Sequence, residues 1–196
     1  MKNILKSFTL IISLLLSLNV NAQGIQIGYI QSTTENGNPL HASILNGVRA
    51  GFIYENGILD HLSLQYGLNY SYLSGSTSAL TEYRTTSHEL DIPLRISYGL
   101  PISNNFKTFI YAGPNFSYAI SNKSKTTLLG QEVESNLYEE NSDYTPFNIQ
   151  MGIGGGVILN NTFIKVGYDW GLSDLNKTTD VVTKTNRFTV SVGYTL

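Results

Sequence analysis

Phe188-Thr-Val-Ser-Val-Gly-Tyr-Thr-Leu196 carries the clearest structural signal in the chain. Its large apolar side chains all stand at even positions, and the positions between them hold only Thr, Ser and Gly. Because side chains alternate across a β-strand, the segment has one apolar face and one face of small polar residues. This pattern is typical of the closing strand of an outer-membrane barrel.

The same period of two recurs through the chain, and we predict eight strands from it. They are 24–33, 45–55, 61–73, 87–100, 106–120, 146–159, 162–172 and 186–196. Only 13% of all residues are charged, which suits a protein whose exterior does not face water. The predicted fold class is therefore all-β, an eight-stranded antiparallel up-and-down transmembrane β-barrel.

The connections between these strands alternate in length. The short ones are 56–60, 101–105 and 160–161. The long ones are polar and comprise 34–44, 74–86, 121–145 and 173–185. In outer-membrane barrels short turns lie in the periplasm and longer loops lie outside, so this alternation predicts the orientation of every strand.

Aromatic side chains on the apolar parity fall near the two ends of the strands. The predicted periplasmic girdle is Tyr54, Tyr98, Phe106 and Tyr194, and the predicted outer girdle is Tyr70, Tyr72, Phe116, Tyr118, Phe147, Trp170 and Phe188. Mostly aliphatic residues lie between them. Two aromatic belts around an aliphatic band indicate a bilayer, because amphipathic rings settle at the headgroup level.

The opposite parity is small or polar and holds six charged residues whose signs cancel. They are Arg49, Glu89, Asp91, Arg95, Lys165 and Asp169. The interior of an eight-stranded barrel is just wide enough to be filled by side chains. Because an unpaired charge there would be costly, we expect the three basic residues to pair with the three acidic ones and close the lumen.

A soluble barrel of the lipocalin type is the main structural alternative, since it has the same strand count and a ligand cavity. Its apolar parity would point inward and its polar parity outward. A water-facing exterior normally carries many Lys and Glu residues, whereas the polar parity here is largely Gly, Ser, Asn and Thr. The content of the two faces therefore favours lipid on the outside.

The N-terminus has the pattern of a secretory signal peptide. Lys2 and Lys6 precede an apolar run over 8–18, and Val20-Asn21-Ala22 ends in a small residue. The run is shorter than the roughly 20 residues that a spanning helix needs, so we predict cleavage after Ala22. The mature chain then keeps ten basic and 14 acidic residues, a formal charge of −4 that gives no reason to expect nucleic acid as a partner.

Residues that could carry catalysis are sparse. The chain has no cysteine, and His41, His61 and His88 fall on different connections and strand ends without the spacing of a metal site. Ser87 and Glu89 share one face of their strand while His88 faces away, so a simple triad is not expected there. We expect no cofactor, metal or catalytic residue, and keep an outer-membrane lipid-modifying enzyme as an alternative because triads can form across strands.

Three motifs resemble one particular family. They are Leu-Asp-Ile-Pro-Leu over 90–94, Ala112-Gly113-Pro114, and Tyr-Asp-Trp-Gly-Leu over 168–172. In these the chain resembles the PorT-like outer-membrane β-barrel proteins of Bacteroidota. The resemblance implies an eight-stranded barrel in the outer membrane, but no single function and no catalytic residues; the family's namesake is an accessory of type IX secretion.

These observations favour a non-enzymatic scaffold or loop-mediated interaction module of the cell envelope. The expected partners are outer-membrane lipid, the barrel-assembly machinery during insertion, and a protein bound through the outer loops 74–86 and 121–145. A periplasmic lipocalin-like binder is a further alternative. Loops on a rigid barrel are where binding is usually found, which is why the outer loops are the candidate interaction surface.

Overall fold

The computed structural model describes residues 22–78, 82–128, 131–136, 144–176 and 181–196. The predicted signal peptide, residues 1–22, lies outside this part of the chain except for Ala22. Every regular element within it is a β-strand. Among the described residues no helix is long and apolar enough to cross a membrane.

The described residues form nine strands, and eight of them form the barrel wall. The strands are β1 (Ala22–Asn36), β2 (Asn38–Leu59), β3 (Leu62–Ser78), β4 (Glu82–Ser103), β5 (Phe106–Leu128), β6 (Gln131–Asn136), β7 (Phe147–Leu159), β8 (Thr162–Gly171) and β9 (Thr183–Thr195). Strand β6 pairs only with the outer end of β5, from Lys123–Asn136 to Leu128–Gln131. It therefore extends the wall outward without entering the ring.

The ring closes between the first and the last strand. All neighbouring pairs are antiparallel, and β9 pairs with both β8 and β1, with Val192 opposite Ile164 on one side and Ile27 on the other. This closure leaves the eight-stranded wall with no free edge, so the backbone groups of a lipid-facing wall can be satisfied within the sheet. The predicted fold class is confirmed.

Two of the predicted outer loops, 34–44 and 74–86, are wrong, because the strands continue through most of their described residues. The third, 121–145, is in large part an extension of the wall strands, the other reading that the sequence leaves open for it. Strands β1 and β2 meet at Gly37, whose φ of 62° suits a tight turn that glycine adopts readily. Residues 74–78 and 82–86 pair with each other, and 121–128 extend β5. These stretches are rich in Ser and Thr and lack an apolar parity, so hydrophobic alternation does not reveal them as strands.

The two faces of the wall have the polarity of a protein surrounded by lipid. Ile110, Ile27 and Val48 point outward and are 66%, 59% and 58% exposed, whereas Asn69 and Gln150 point inward and are fully buried. In a lipocalin-like barrel the apolar side chains would be buried in the interior and the polar ones would be exposed. The apolar parity therefore faces outward and the core of this protein is polar.

Two prolines interrupt the hydrogen-bonded ladder around β4. Pairing between β3 and β4 breaks between Tyr66–Leu94 and Asn69–Asp91, next to Pro93. Pairing between β4 and β5 breaks between Pro93–Asn115 and Ile96–Ala112, next to Pro114. The register is the same on both sides of each break, so these are local unpairings, as expected where a proline has no N–H to donate.

Candidate functional site in the barrel interior

Arg187 lies at the centre of a buried ionic cluster in the outer half of the barrel. Its Nη1 donates to Asp91 Oδ1, and its Nη2 donates to Glu89 Oε2 and, at 2.9 Å, to Ser117 Oγ. All three charged residues are at least nine-tenths buried. A guanidinium presents its donors in a planar fork, which allows one arginine to hold carboxylates from two positions of β4 at once.

Hydroxyl and amide groups complete the hydrogen bonding of these carboxylates. Ser87 Oγ donates to Glu89 Oε1 at 3.0 Å, and Ser71 Oγ donates to Asp91 Oδ2 at 3.0 Å. Asn115 Nδ2 donates to Gln150 Oε1 at 2.9 Å beside them. Because buried charges are tolerated only when paired and hydrogen-bonded, this network is what allows a polar core inside the bilayer.

Arg95 connects a second ion pair to the interrupted ladder. Its Nη2 pairs with Asp169 Oδ1, and its Nη1 donates to the carbonyl oxygen of Gly113. Gly113 has a φ of 151°, and it lies at the break between β4 and β5 next to Pro114. The guanidinium thus supplies a donor to a carbonyl at the very position where the sheet does not pair.

Two of the expected cations form no ion pair with a carboxylate of the described residues. Lys165 Nζ lies 5.9 Å from the ring centroid of Tyr111 and 5.7 Å from that of Phe163. Arg49 lines a small cavity of about 30 Å³ in the middle of the barrel, and its Nε has no hydrogen-bond partner among the described residues. In place of the expected pairing with Arg49 and Lys165, Glu89 and Asp91 both pair with Arg187.

Sequence reasoning passed over Arg187 although a signal was present. Arg187 precedes Phe188 and shares the polar parity of Thr189 and Ser191 in the closing strand. Arg187 lies inside the predicted strand 186–196, so a search of the whole strand for charges on the polar parity finds it. We call Arg187, Arg95, Arg49, Lys165, Glu89, Asp91 and Asp169 together the charged plug.

The charged plug lies between two larger cavities. On the outer side a vestibule of about 350 Å³ has Glu89 and Arg187 in its wall, and on the periplasmic side a cavity of about 220 Å³ has Lys165 and Glu55 in its wall. The cavity of about 30 Å³ lies between them and has room for little more than water. The smallest of these three cavities thus lies at the level of Arg49, Arg95, Lys165 and Asp169 of the charged plug.

The aromatic residues predicted as girdles line the outside of the wall. Eight are more than a third exposed: Tyr70, Tyr72, Tyr98, Tyr118, Phe147, Trp170, Phe188 and Tyr194. Tyr54, Phe106 and Phe116 are partly covered. Tyr66 differs from its neighbours on the same parity: it is buried, stacks on Tyr54 with 5.5 Å between ring centroids, and lies beside the interrupted ladder.

The structure does not bring Ser87, His88 and Glu89 together as a catalytic group. Ser87 and Glu89 face the interior, where Glu89 is engaged with Arg187. His88 faces the other way, with Nδ1 2.5 Å from the Tyr70 hydroxyl and its ring against Tyr72. The separation follows from strand alternation, as expected from the sequence.

An apolar exterior, a closed wall and a charge-filled interior define a small transmembrane β-barrel. Residues 12–177 match the family model described as the outer membrane protein beta-barrel domain. The chain belongs to this family, and the outer membrane is its location. A comparison with curated proteins found no match.

Solved structures with a similar fold include three outer-membrane proteins. The outer-membrane enzyme PagL is 13% identical with a TM-score of 0.51, over 86% of this chain and 98% of its own. Ail, the attachment invasion locus protein of Yersinia pestis, is 15% identical with a TM-score of 0.48, over 89% and 98%. Neisserial surface protein A is 14% identical with a TM-score of 0.48, over 88% and 96%. At these identities the likeness concerns the fold alone.

Proposed function

We propose that this protein is a non-enzymatic scaffold of the outer membrane that presents a rigid β-extension to a protein partner of the cell envelope. The observation that carries the proposal is the continuation of β3, β4 and β5 beyond the apolar band as paired, polar strands, with β6 added at the edge. Paired strands fix the geometry of a surface far better than free loops do. Such a surface is suited to a defined partner.

The extension is charged where it faces outward. Arg84 lies opposite Lys125 and Thr86 opposite Lys123 in the β4–β5 ladder, and all three basic residues are exposed. Lys125 in turn lies opposite Glu134 of β6. The extension thus has basic side chains at exposed positions of two adjacent strands, a pattern that favours orientation-specific contact with an acidic protein surface.

The absence of an enzymatic function is part of the proposal. The carboxylates that could act as a base are held by guanidinium groups, and Ser87 donates to one of them. His88 lies on the opposite face of its strand. Among the described residues, no group of three or more His, Cys, Asp or Glu side chains is arranged to hold a metal.

The resemblance to PorT-like proteins supports a more specific role within this proposal. We infer an accessory role in secretion or envelope assembly, with the partner drawn from that machinery. The pathway to the membrane completes the proposal: export through a signal peptide cleaved after Ala22, and insertion by the barrel-assembly machinery.

Cross-linking of intact outer membranes tests the interaction. The decisive variant lacks residues 123–136; because Lys123 pairs with Asn136, the deletion removes the β5–β6 hairpin at its base. The matched control lacks residues 35–42 and shortens the β1–β2 hairpin above Thr34–Ser43. The proposal expects a cross-linked partner with the wild type and the control, and none with the 123–136 deletion.

Folding of each variant is checked by its migration in unheated gels before partners are compared. An identical set of cross-linked proteins for all three chains would contradict the proposal. Phospholipid or lipopolysaccharide hydrolysis by the purified wild-type barrel would contradict its non-enzymatic part.

A further inference from the structure

Arg49 and Lys165 are two cations in the middle of the barrel that lack a counter-charge from the described residues. Both line the cavity of about 30 Å³. Neither forms an ion pair with a described carboxylate or donates a hydrogen bond to a described group. Beside Lys165 Nζ lie the rings of Tyr111 and Phe163, which carry no formal charge. The two cations therefore keep their capacity to bind an anion.

The cationic ends of these two side chains face the cavity. Arg49 Nε is enclosed by protein atoms and has no partner among the described residues. The terminal nitrogens of Arg49 and Lys165 Nζ also lack a described partner, but they are not enclosed, and the space next to them is the cavity. An occupant of the cavity can therefore contact both cations directly.

The formal charges around the cavity leave an excess of positive charge. Its wall contains three cations, Arg49, Arg95 and Lys165, and one carboxylate, Asp169, which Arg95 already engages. The charged plug as a whole has four basic and three acidic residues, a net formal charge of +1. Uncompensated charge is costly in an interior surrounded by lipid. Water in the cavity would solvate the cations without neutralising them, whereas one monovalent anion would balance the plug.

The size and position of the cavity limit the identity of that anion. A single water molecule needs roughly 10–15 Å³ of such space, so about 30 Å³ holds a chloride-sized ion and little else, and excludes phosphate or a lipid headgroup. Ile53, Gln65 and Lys165 line both this cavity and the periplasmic cavity of about 220 Å³. With the vestibule it shares no wall residue from the described part of the chain. The route to the cavity therefore leads from the periplasmic side.

We propose that this cavity binds one chloride-sized monovalent inorganic anion, which enters from the periplasm and is held by Arg49 and Lys165. The anion completes the charge balance of the charged plug and so stabilises the folded barrel. The site is separate from the β-extension and its protein partner. Failure of either proposal would therefore leave the other intact.

Urea-induced unfolding of the full barrel in neutral phospholipid vesicles tests this site, with chloride as the probe. Sodium chloride replaces sodium isethionate at constant ionic strength, because isethionate is monovalent but too large for the cavity. Lys165→Met and Arg49→Met each remove one of the two cations. The matched control is Lys107→Met, because Lys107 lies 3.7 Å from Glu55 and outside the wall of this cavity. All chains are first checked for folded migration in unheated gels.

A ligand that binds only the folded chain stabilises it by mass action. The folded-to-unfolded ratio of the wild type and of Lys107→Met should rise with chloride, about tenfold at a concentration ten times the dissociation constant. Lys165→Met and Arg49→Met should show no such rise, because each makes the plug neutral without an anion. A wild type that does not respond to chloride, or an equal rise in all four chains, would overturn the proposal.

Bromide locates the ion by a measurement that does not depend on the stability of the variants. Crystals of the wild-type barrel grown in bromide should show an anomalous scattering peak in the cavity lined by Arg49 and Lys165. Bromide peaks confined to the outer surface of the protein would overturn the proposal.

Discussion

Arg187 links three strands of the barrel wall through one side chain. It joins the closing strand β9 to Glu89 and Asp91 of β4 on the far side of the barrel, and to Ser117 of β5. Its side chain therefore links strands that do not pair with one another. In a soluble protein, apolar packing in the core fixes the positions of the strands relative to one another. In this polar core, ion pairs and hydrogen bonds across the lumen have that role.

Replacing Arg187 with methionine should strongly destabilise the barrel. The change leaves two buried carboxylates without their cation, a situation that costs about 3–5 kcal/mol in buried ion pairs. Urea-induced unfolding in lipid vesicles measures the loss. The exposed Lys184 on the same strand provides the control, and Lys184→Met should stay within about 0.5 kcal/mol. Equal stability of the two variants would show that the cluster around Arg187 does not hold the barrel together.

Gly113 is a second residue whose replacement should change the stability of the barrel, because even one added Cβ atom meets the backbone there. A Cβ there would lie 3.1 Å from Arg95 Cα and closer still to the Leu94 carbonyl oxygen, at a φ of 151° that side chains rarely adopt. Gly113→Ala should therefore cost about 1–3 kcal/mol of unfolding free energy. At Gly57 a Cβ would meet nothing within 4 Å, so Gly57→Ala is the control and should be nearly neutral. If Gly113→Ala were as stable as the wild type, the prediction that position 113 requires glycine would be wrong.

At the scale of the strand, the sequence predicts the part of the wall that lies in lipid better than the part outside it. The apolar parity of 186–196 and its counterparts located all eight wall strands, because a lipid-facing strand must alternate. The extensions at 74–78, 82–86 and 121–128 pair backbone to backbone in water, where either face may be polar, so they carry no such pattern. The ion pairs of the charged plug could be predicted only in part. Strand alternation shows that a charged side chain points into the lumen, but it does not show which residue lies opposite it across the lumen.

Asp174 is a titratable group with a defined role in the described part of the outer connection between β8 and β9. Asp174 Oδ1 accepts hydrogen bonds from the backbone N–H of Thr183 at 2.9 Å and of Asn176 at 3.0 Å. These bonds, that of Thr183 most of all, lower the pKa of Asp174 below its usual 3.8. Because the pKa is lowered in the folded state, the stabilisation is present above 3.8 and is lost as the pH falls through the lowered value.

Amide NMR of the barrel in micelles tests this assignment. The Thr183 amide resonance should titrate with a midpoint below 3.8 in the wild type and should lose that titration in Asp174→Asn, which keeps an acceptor oxygen but no charge. A midpoint at or above 3.8 in the wild type would show that the carboxylate does not hold the connection.

At the scale of the whole molecule, the protein reverses the polarity of a soluble barrel. Ile110 and Ile27 face outward, while Asn69 and Gln150 are fully buried. The charged plug separates an outer vestibule of about 350 Å³ from a periplasmic cavity of about 220 Å³. The interior is therefore held together by ion pairs and hydrogen bonds in place of an apolar core.

Conductance of the purified wild-type barrel in planar lipid bilayers tests this account most directly. If the charged plug closes the lumen, the membrane current should stay at the baseline of protein-free bilayers across the applied voltages, even after insertion is verified by folded migration of the recovered protein. Discrete, reproducible openings that scale with the number of inserted barrels would contradict the account, because ions would then be passing between Arg187, Glu89 and Asp91.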